Sequence, residues 1–451
     1  MKAIFAEQAL LADGWRSNVR LTLAGGVIAS AVADAAPLPD DERHAILVPG
    51  MPNLHSHAFQ RGMAGLAEVR GPGADSFWSW REVMYRFALS MTPGQVEAVA
   101  AQLYVEMLEA GFSRVGEFHY LHHDLDGRPY ANIAEMAERI AAAACETGIG
   151  LTLLPVFYAH SGFGGLEPSE GQRRFVNDVS RFSRLLEKTR ESVRTLNQAV
   201  VGIAPHSLRA VTPRELGEVT ALAGGGPIHI HVAEQVKEVE DCVAWSGARP
   251  VEWLLANATV DRRWCLIHAT HMLDGETMAM AESGAVAGLC PITEANLGDG
   301  TFRGPLFAQH GGRFGIGSDS NVLIGLADEL RQLEYSQRLA HRARNVLARP
   351  GQSNGRALFS AALDGGAAAL GAGPSQLGAG AAADFVSLDA SRPSLAGKRG
   401  DAILDTWIFA GGAAVDCVWV HGEKLVEAGR HLRREAIAGR FRTAMEELSR
   451  N

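Results

Sequence analysis

The chain has 451 residues, too many for one small core and enough for a large barrel beside a smaller domain. Its 47% hydrophobic and 21% charged residues are those of a globular protein in water. With 51 acidic against 42 basic residues, a formal charge of -9 and no Lys/Arg block, the balance speaks against nucleic acid as a partner.

No apolar run approaches the roughly 20 residues of a membrane span. The N-terminus, Met1-Lys2-Ala3-Ile4-Phe5-Ala6-Glu7, meets charge too early for the apolar core of a secretion signal. Cys145, Cys242, Cys265, Cys290 and Cys417 are scattered without Cys-x-x-Cys spacing, as expected of buried small hydrophobes in a reducing compartment. A cytoplasmic protein is the expectation.

Residues 1–48 alternate short apolar runs with turn signals, as at Ala12-Asp13-Gly14-Trp15 and Leu23-Ala24-Gly25-Gly26-Val27, which predicts small antiparallel strands. Alone they lack the area for a core. The same texture returns over residues 378–451, at 383–388, 405–410 and 415–422. The two ends are therefore expected to pair into one small β-sandwich, with a helix at the C-terminus.

Between them, residues 49–377 alternate strand-like and helix-like stretches. The first strand leads from Ala45-Ile46-Leu47-Val48 into Pro49-Gly50-Met51-Pro52-Asn53-Leu54-His55-Ser56-His57. Further strands are expected at 113–118, 150–157, 200–204, 228–234, 266–269, 286–290 and 314–319, which makes eight. Thr92-Pro93-Gly94-Gln95 and Thr212-Pro213-Arg214-Glu215 each offer a Thr N-cap, Pro at the first helical position and Gln or Glu three on. Gly111 is placed to end the first of these helices, and residues 326–347 form the helix after strand eight. Eight strands alternating with helices predict an α/β fold, the (β/α)8 TIM barrel, in which chemistry sits at the C-terminal ends of strands. Residues 58–90, rich in Gly and aromatics, are expected to form a long loop over its mouth.

The polar residues fall at those strand ends. His55 and His57 lie two apart on a strand and face one side, so both can reach one ion. His231 from strand five and Asp319 from strand eight complete a metal set of three neutral imidazoles and one carboxylate. Such an ion lowers the pKa of bound water from 15.7 toward about 7. His229 competes with His231 but lies deeper in the barrel. Glu234 is a candidate proton shuttle, and His268, at the end of strand six, a group to orient or deprotonate the water. His271 is expected to be exposed, and His119, His122 and His123 to be supporting or loop residues, with Tyr120 as a substrate contact. Some barrel hydrolases bridge two metals through a carboxylated lysine after strand four. Here that strand runs into Ala204-Pro205-His206-Ser207-Leu208-Arg209, which predicts one metal. His206, Arg209, Arg81 and Gln60 offer donors for an anionic substrate, since guanidinium forks match carboxylates. They suggest an amidine or imine that carries carboxylates.

Together these residues resemble the amidohydrolase superfamily in its mononuclear deaminase branch. The resemblance runs through His55-Ser56-His57, His231-Val232-Ala233-Glu234, His268, Ser318-Asp319 and the flanking sandwich. Asn53-Leu54-His55-Ser56-His57-Ala58-Phe59-Gln60-Arg61, Glu117-Phe118-His119-Tyr120-Leu121-His122-His123, Pro205-His206-Ser207-Leu208-Arg209 and Cys290-Pro291-Ile292-Thr293-Glu294-Ala295-Asn296-Leu297-Gly298 further resemble its formimidoylglutamate deiminases. Asn321-Val322-Leu323-Ile324-Gly325 lies outside the resemblance.

The resemblance implies hydrolysis of N-formimino-L-glutamate to N-formyl-L-glutamate and ammonia, in histidine degradation. One divalent ion per subunit, most simply Zn2+, is implied with it, as is a homodimer taking a small dicarboxylate. His268 and Asp319 would handle the proton of the attacking water, and Glu234 would protonate the departing nitrogen. Gln60, Arg81, Tyr120, His206 and Arg209 would hold the glutamate portion. Rival expectations are deamination of a purine or pyrimidine ring, imidazolonepropionase-like ring opening, and an inactive barrel serving as scaffold. A ring pocket favours stacking aromatics and a neutral amide, whereas these candidates are cationic; a decayed site loses ligands, whereas this set is full.

Overall fold

The computed structural model describes residues 2–70 and 77–450, without the side chain of Trp78. Its central unit is a closed ring of parallel strands: β1 (Met51–Ser56), β2 (Phe112–His119), β3 (Gly150–Phe157), β4 (Val200–Val201 and Ala204–Pro205), β5 (Ile228–Val232), β6 (Trp264–His268), β7 (Val286–Leu289) and β8 (Arg313–Ile316). Ladders run from β1 to β4 and from β5 to β8. Single bridges join the two halves, Ile203 to Ile228 and Ser207 to His231 on one side and Ser56 to Asp319 on the other. Most of these strands are buried end to end, as parallel strands covered by helices must be.

The chain ends build one eight-stranded sheet in the order Arg430–His431, Glu423–Glu427, Val415–Val420, Phe385–Leu388, Glu42–Pro49, Lys2–Leu11, Gly14–Ala24, Val27–Val32. Its N- and C-terminal halves meet where Phe385 pairs with Pro49 and Leu388 with Ile46. Val27 also bridges Ala382, so the sheet curls back on itself around Ile4, Val19, Leu21, Ile28, Phe385 and Trp419. One short sheet thereby buries both of its inner surfaces in the manner of a sandwich.

Three local expectations are corrected. Of residues 58–90, those described form a 3-10 helix, Ala58–Met63, and an α-helix, Phe77–Ser90, in place of one long loop, and 71–76 lie outside the described residues. Phe77, Trp80, Arg81, Met84 and Tyr85 recur at helical spacing and line one pocket. The strand expected at 405–410 is part of helix Asp401–Ala410, whose buried Ile403, Leu404, Trp407 and Ile408 follow a period of 3.6 and not 2. The helix after β8 is Leu326–His341, shorter than expected: Arg342 turns to φ 50, and the amides of Val346 and Leu347 bond back to the Glu334 carboxylate. Cys145 is exposed, while the other four cysteines are buried and free. Both Thr N-caps form with reciprocal bonds to Gln95 and Glu215, and Gly111 follows helix Pro93–Glu109 with φ 96. No described helix is long and apolar enough to cross a membrane.

The N-terminal end of the barrel is plugged by helix Asn354–Ala369. Ala369 O accepts from His229 Nε2 at 2.7 Å and Leu370 O from Thr152 Oγ1 at 3.0 Å. Gly365 and Gly366 let this helix touch the strands directly: a Cβ on Gly365 would lie 1.8 Å from Phe314 O. Gly365→Ala is therefore expected to destabilise the fold by about 3 kcal/mol or more, read as a fall in the urea midpoint; an unchanged midpoint would show that the helix can move away freely.

Candidate metal centre and active site

The site begins where β1 and the segment after β8 exchange backbone hydrogen bonds. His57 N donates to Asp319 O at 3.0 Å, and Asp319 N donates to His55 O at 2.9 Å. Asp319 adopts φ 46 and Asn321 φ 57, so the chain turns sharply as it leaves β8. Buried Asn321 holds that turn: its Nδ2 donates to His57 O at 2.9 Å and Ser56 Oγ at 3.2 Å, while Oδ1 accepts from Ser318 Oγ at 2.6 Å. Asn53 Nδ2 in turn donates to Ser318 Oγ. The segment outside the sequence resemblance thus stitches strand one to strand eight.

Four side chains converge above this seam. His55 Nε2 lies 3.1 Å from His231 Nε2 and 3.4 Å from Asp319 Oδ1, and His57 Nε2 lies 3.2 Å from the same oxygen. Ligand atoms of all four fall within 4.8 Å of one another. His57 Nδ1 donates to Phe118 O and His231 Nδ1 to His206 O, each at 3.0 Å. These bonds fix both tautomers and leave each Nε2 lone pair turned toward the cluster. Burial lowers the pKa of His55 to about 3 and that of His231 well below the usual imidazole range. Burial alone would raise Asp319, but its close contacts with the His55 and His57 rings outweigh it and hold the carboxyl well below its ordinary value. Neutral nitrogens and an ionised oxygen crowded in a buried space form a donor set that suits one divalent cation. His229 is turned down to Ala369 O, away from this cluster, with a pKa that burial lowers to about 4.

His268 stands beside the cluster with φ 67 at the end of β6. Its Nε2 is 3.7 Å from Asp319 Oδ2 and 3.7 Å from Glu234 Oε1. Burial pulls its pKa down, but Glu234, Glu294 and Asp319 outweigh burial and carry it up to about 10. Glu234 is buried, which raises its carboxyl to about 7. One functional side chain that the sequence reading missed is Glu294: its Oε1 accepts from His268 Nδ1 at 3.3 Å and from Cys290 N at 2.9 Å. The signal was the Pro291 helix start with a Glu in its first turn, immediately after strand seven.

Asp319, His57, His231, His268 and Glu234 open into one pocket of about 570 Å³, partly exposed to solvent. The expected substrate contacts Gln60, Arg81, Tyr120, His206 and Arg209 all line it. Gln60 Nε2 donates to Tyr120 Oη at 2.9 Å, and Arg81 Nε donates to Tyr85 Oη at 2.8 Å. The sequence reading missed the aromatic share of this wall, Phe77, Trp80, Tyr85, Tyr158 and Phe175. His119, His122 and His123 are buried outside the metal cluster, with His122 Nε2 on Val156 O and His123 Nε2 on Val176 O. His271, expected on the surface, is half-buried.

Comparison with known proteins gives a consistent picture. A model of the Amidohydrolase family matches residues 46–425, and one of the N-terminal domain of Formimidoylglutamate deiminase HutF matches residues 1–45. A Formimidoylglutamate deiminase of Pseudomonas aeruginosa is 54% identical over 99% of this chain and 100% of its own. The crystal structure of an amidohydrolase from Brucella melitensis superposes with a TM-score of 0.97, 65% identity and full coverage of both chains. An adenosine deaminase from Xanthomonas campestris with bound zinc shares the fold, with a TM-score of 0.82, 21% identity and coverage of 100% and 98%.

Glu294→Gln keeps the shape that receives His268 Nδ1–H but removes the charge. It is expected to leave metal content unchanged and lower kcat by about 10- to 100-fold; elemental analysis with steady-state kinetics checks both, and full turnover would remove Glu294 from the site.

Proposed function

The chain belongs to the amidohydrolase family, and from that footing we propose that its pocket is where N-formimino-L-glutamate is hydrolysed to N-formyl-L-glutamate and ammonia. The observation that carries this reading is the joining of two guanidinium side chains, Arg81 and Arg209, and the His/Asp cluster in one pocket. Guanidinium groups match the two carboxylates of the substrate.

His55, His57, His231 and Asp319 would hold one divalent ion, for which zinc fits the nitrogen-rich donor set. When bound, the ion acts as a Lewis acid that lowers the pKa of water. The protein's own groups then manage protons. Water adds at the formimino carbon; Asp319 takes its proton, and His268, 3.7 Å from that carboxylate and held protonated, orients the water. The C=N bond becomes C=O, and the nitrogen leaves as ammonia after protonation by Glu234. With its carboxyl raised to about 7 by burial, Glu234 can both hold and release a proton near neutral pH. Gln60, Tyr120 and His206 orient the glutamate portion beside the two arginines. A cytoplasmic homodimer serving histidine degradation extends this reading, on the sequence resemblance alone. The aromatic wall suits the ring-deaminase alternative better than the sequence suggested, so the substrate panel must include rings.

Ammonia release by zinc-loaded protein is expected from N-formimino-L-glutamate and not from guanine, adenosine, cytosine or N-formimino-L-aspartate; release only from a ring would overturn the substrate assignment. Arg209→Met is expected to raise KM by about 100-fold with metal content intact, and an unchanged KM would remove it from the pocket's function. Glu234→Gln should retain metal and lose turnover by about 1000-fold, and an active variant would end its role as proton donor.

A further inference from the structure

Arg174 is wholly buried, and none of its four hydrogen-bond acceptors is a carboxylate. Its Nη1 donates to Ala88 O at 2.6 Å and Met91 O at 2.9 Å, its Nε to His123 O at 2.8 Å, and its Nη2 to Tyr130 Oη at 3.4 Å. Its own carbonyl accepts from the amides of His122 and His123, each at 3.0 Å. A buried guanidinium held by carbonyls is costly to desolvate, so mere space filling does not account for it.

What it grips gives the reason. Ala88 lies in the last turn of helix Phe77–Ser90, and Met91 in the link to helix Pro93–Glu109. A cation there satisfies end carbonyls and complements the helix dipole. One face of the same helix carries Phe77, Trp80, Arg81, Met84 and Tyr85 into the pocket. Arg81 is seven residues from the pinned carbonyl of Ala88, about 10 Å along the axis. The neighbours of Arg174 brace that face too. Gln172 Nε2 donates to Tyr158 Oη at 2.7 Å and to Tyr85 Oη at 3.4 Å, and Phe175 packs edge-on against Tyr120 with centroids 4.9 Å apart.

We propose that Arg174 is a positioning residue for substrate binding: by pinning the end of helix Phe77–Ser90 to the segment after β2, it sets where Arg81 and Tyr85 stand in the pocket. This rests on the reading of Arg81 as a substrate contact. The planar fork is needed because one group must reach Ala88 O, Met91 O and His123 O at once, which a lysine ammonium on a single point cannot do.

The test compares Arg174→Gln, Arg174→Lys, Arg81→Met and the double variant Arg81→Met/Arg174→Gln in the zinc-loaded full chain, with kcat, KM, metal content and Tm measured for each. Both Arg174 variants are expected to raise KM for N-formimino-L-glutamate about tenfold while kcat stays within about threefold and metal content is full. The double variant should lose clearly less than the two single effects combined, because both changes act through the Arg81 contact. Arg174→Lys keeps the buried charge, and it decides the matter if the Gln variant is insoluble. An unchanged KM with a lowered Tm would reduce Arg174 to a structural residue and overturn the proposal, as would fully additive effects in the double variant. A normal KM in Arg81→Met would instead overturn the reading of Arg81, and this inference with it.

Discussion

The paired backbone hydrogen bonds between His57 and Asp319 and between Asp319 and His55 are the constraint on which the rest of the structure depends. They close the barrel, and the residues that close it are also three of the four that converge on the proposed metal position. Residues 262 apart in sequence, as Asp319 is from His57, thereby project their side chains from backbones that are bonded directly to each other. Asn321 secures the seam from behind, with a left-handed backbone that asparagine tolerates better than most residues. A tight turn that places a carboxylate is thus bonded on both sides.

The electrostatics follow from the burial that this closure enforces. Three carboxylates, Glu234, Glu294 and Asp319, surround His268 in a space nearly closed to water. Their mutual repulsion is relieved in part by the imidazolium that they stabilise, and in part by the raised pKa of Glu234, which favours its neutral form. Two neighbouring acids are thus driven apart, Asp319 ionised and Glu234 poised near neutrality. Such a separation assigns different proton tasks to chemically similar groups.

The fold and much of this arrangement were legible in the sequence because barrel strands are short, apolar and followed at once by a polar residue. His55, His57, His231, His268 and Asp319 each stand at or just beyond such an end. What was not legible came from two sources. Helix Phe77–Ser90 carries so many aromatics that its apolar content masked its period, and Gly-rich flanks suggested a loop. The stripe at 77, 80, 81, 84 and 85 was nonetheless readable as a helix face. Gln172 and Arg174 were hidden for a different reason: each acts on a backbone or side-chain atom of another segment, and no local pattern marks such a residue. The strand expected at 405–410 failed because Trp407, Ile408 and Phe409 favour strands by propensity, while burial of one helical face decided the outcome.

The passage from Glu42–Pro49 into Met51–Ser56 is almost unbroken, so the strand that leads to His55 and His57 is an extension of the terminal sheet. That sheet strand is flanked by Lys2–Leu11 on one side and by Phe385–Leu388 on the other. During synthesis, then, one neighbour of this strand emerges from the ribosome at once and the other only after more than three hundred further residues. Contacts of such sequence separation form late. A nascent molecule interrupted before Phe385 would therefore already hold the strand that leads to His55 between both of its barrel neighbours, Phe112–His119 and the bridge to Asp319, while the preceding strand Glu42–Pro49 kept one unguarded edge.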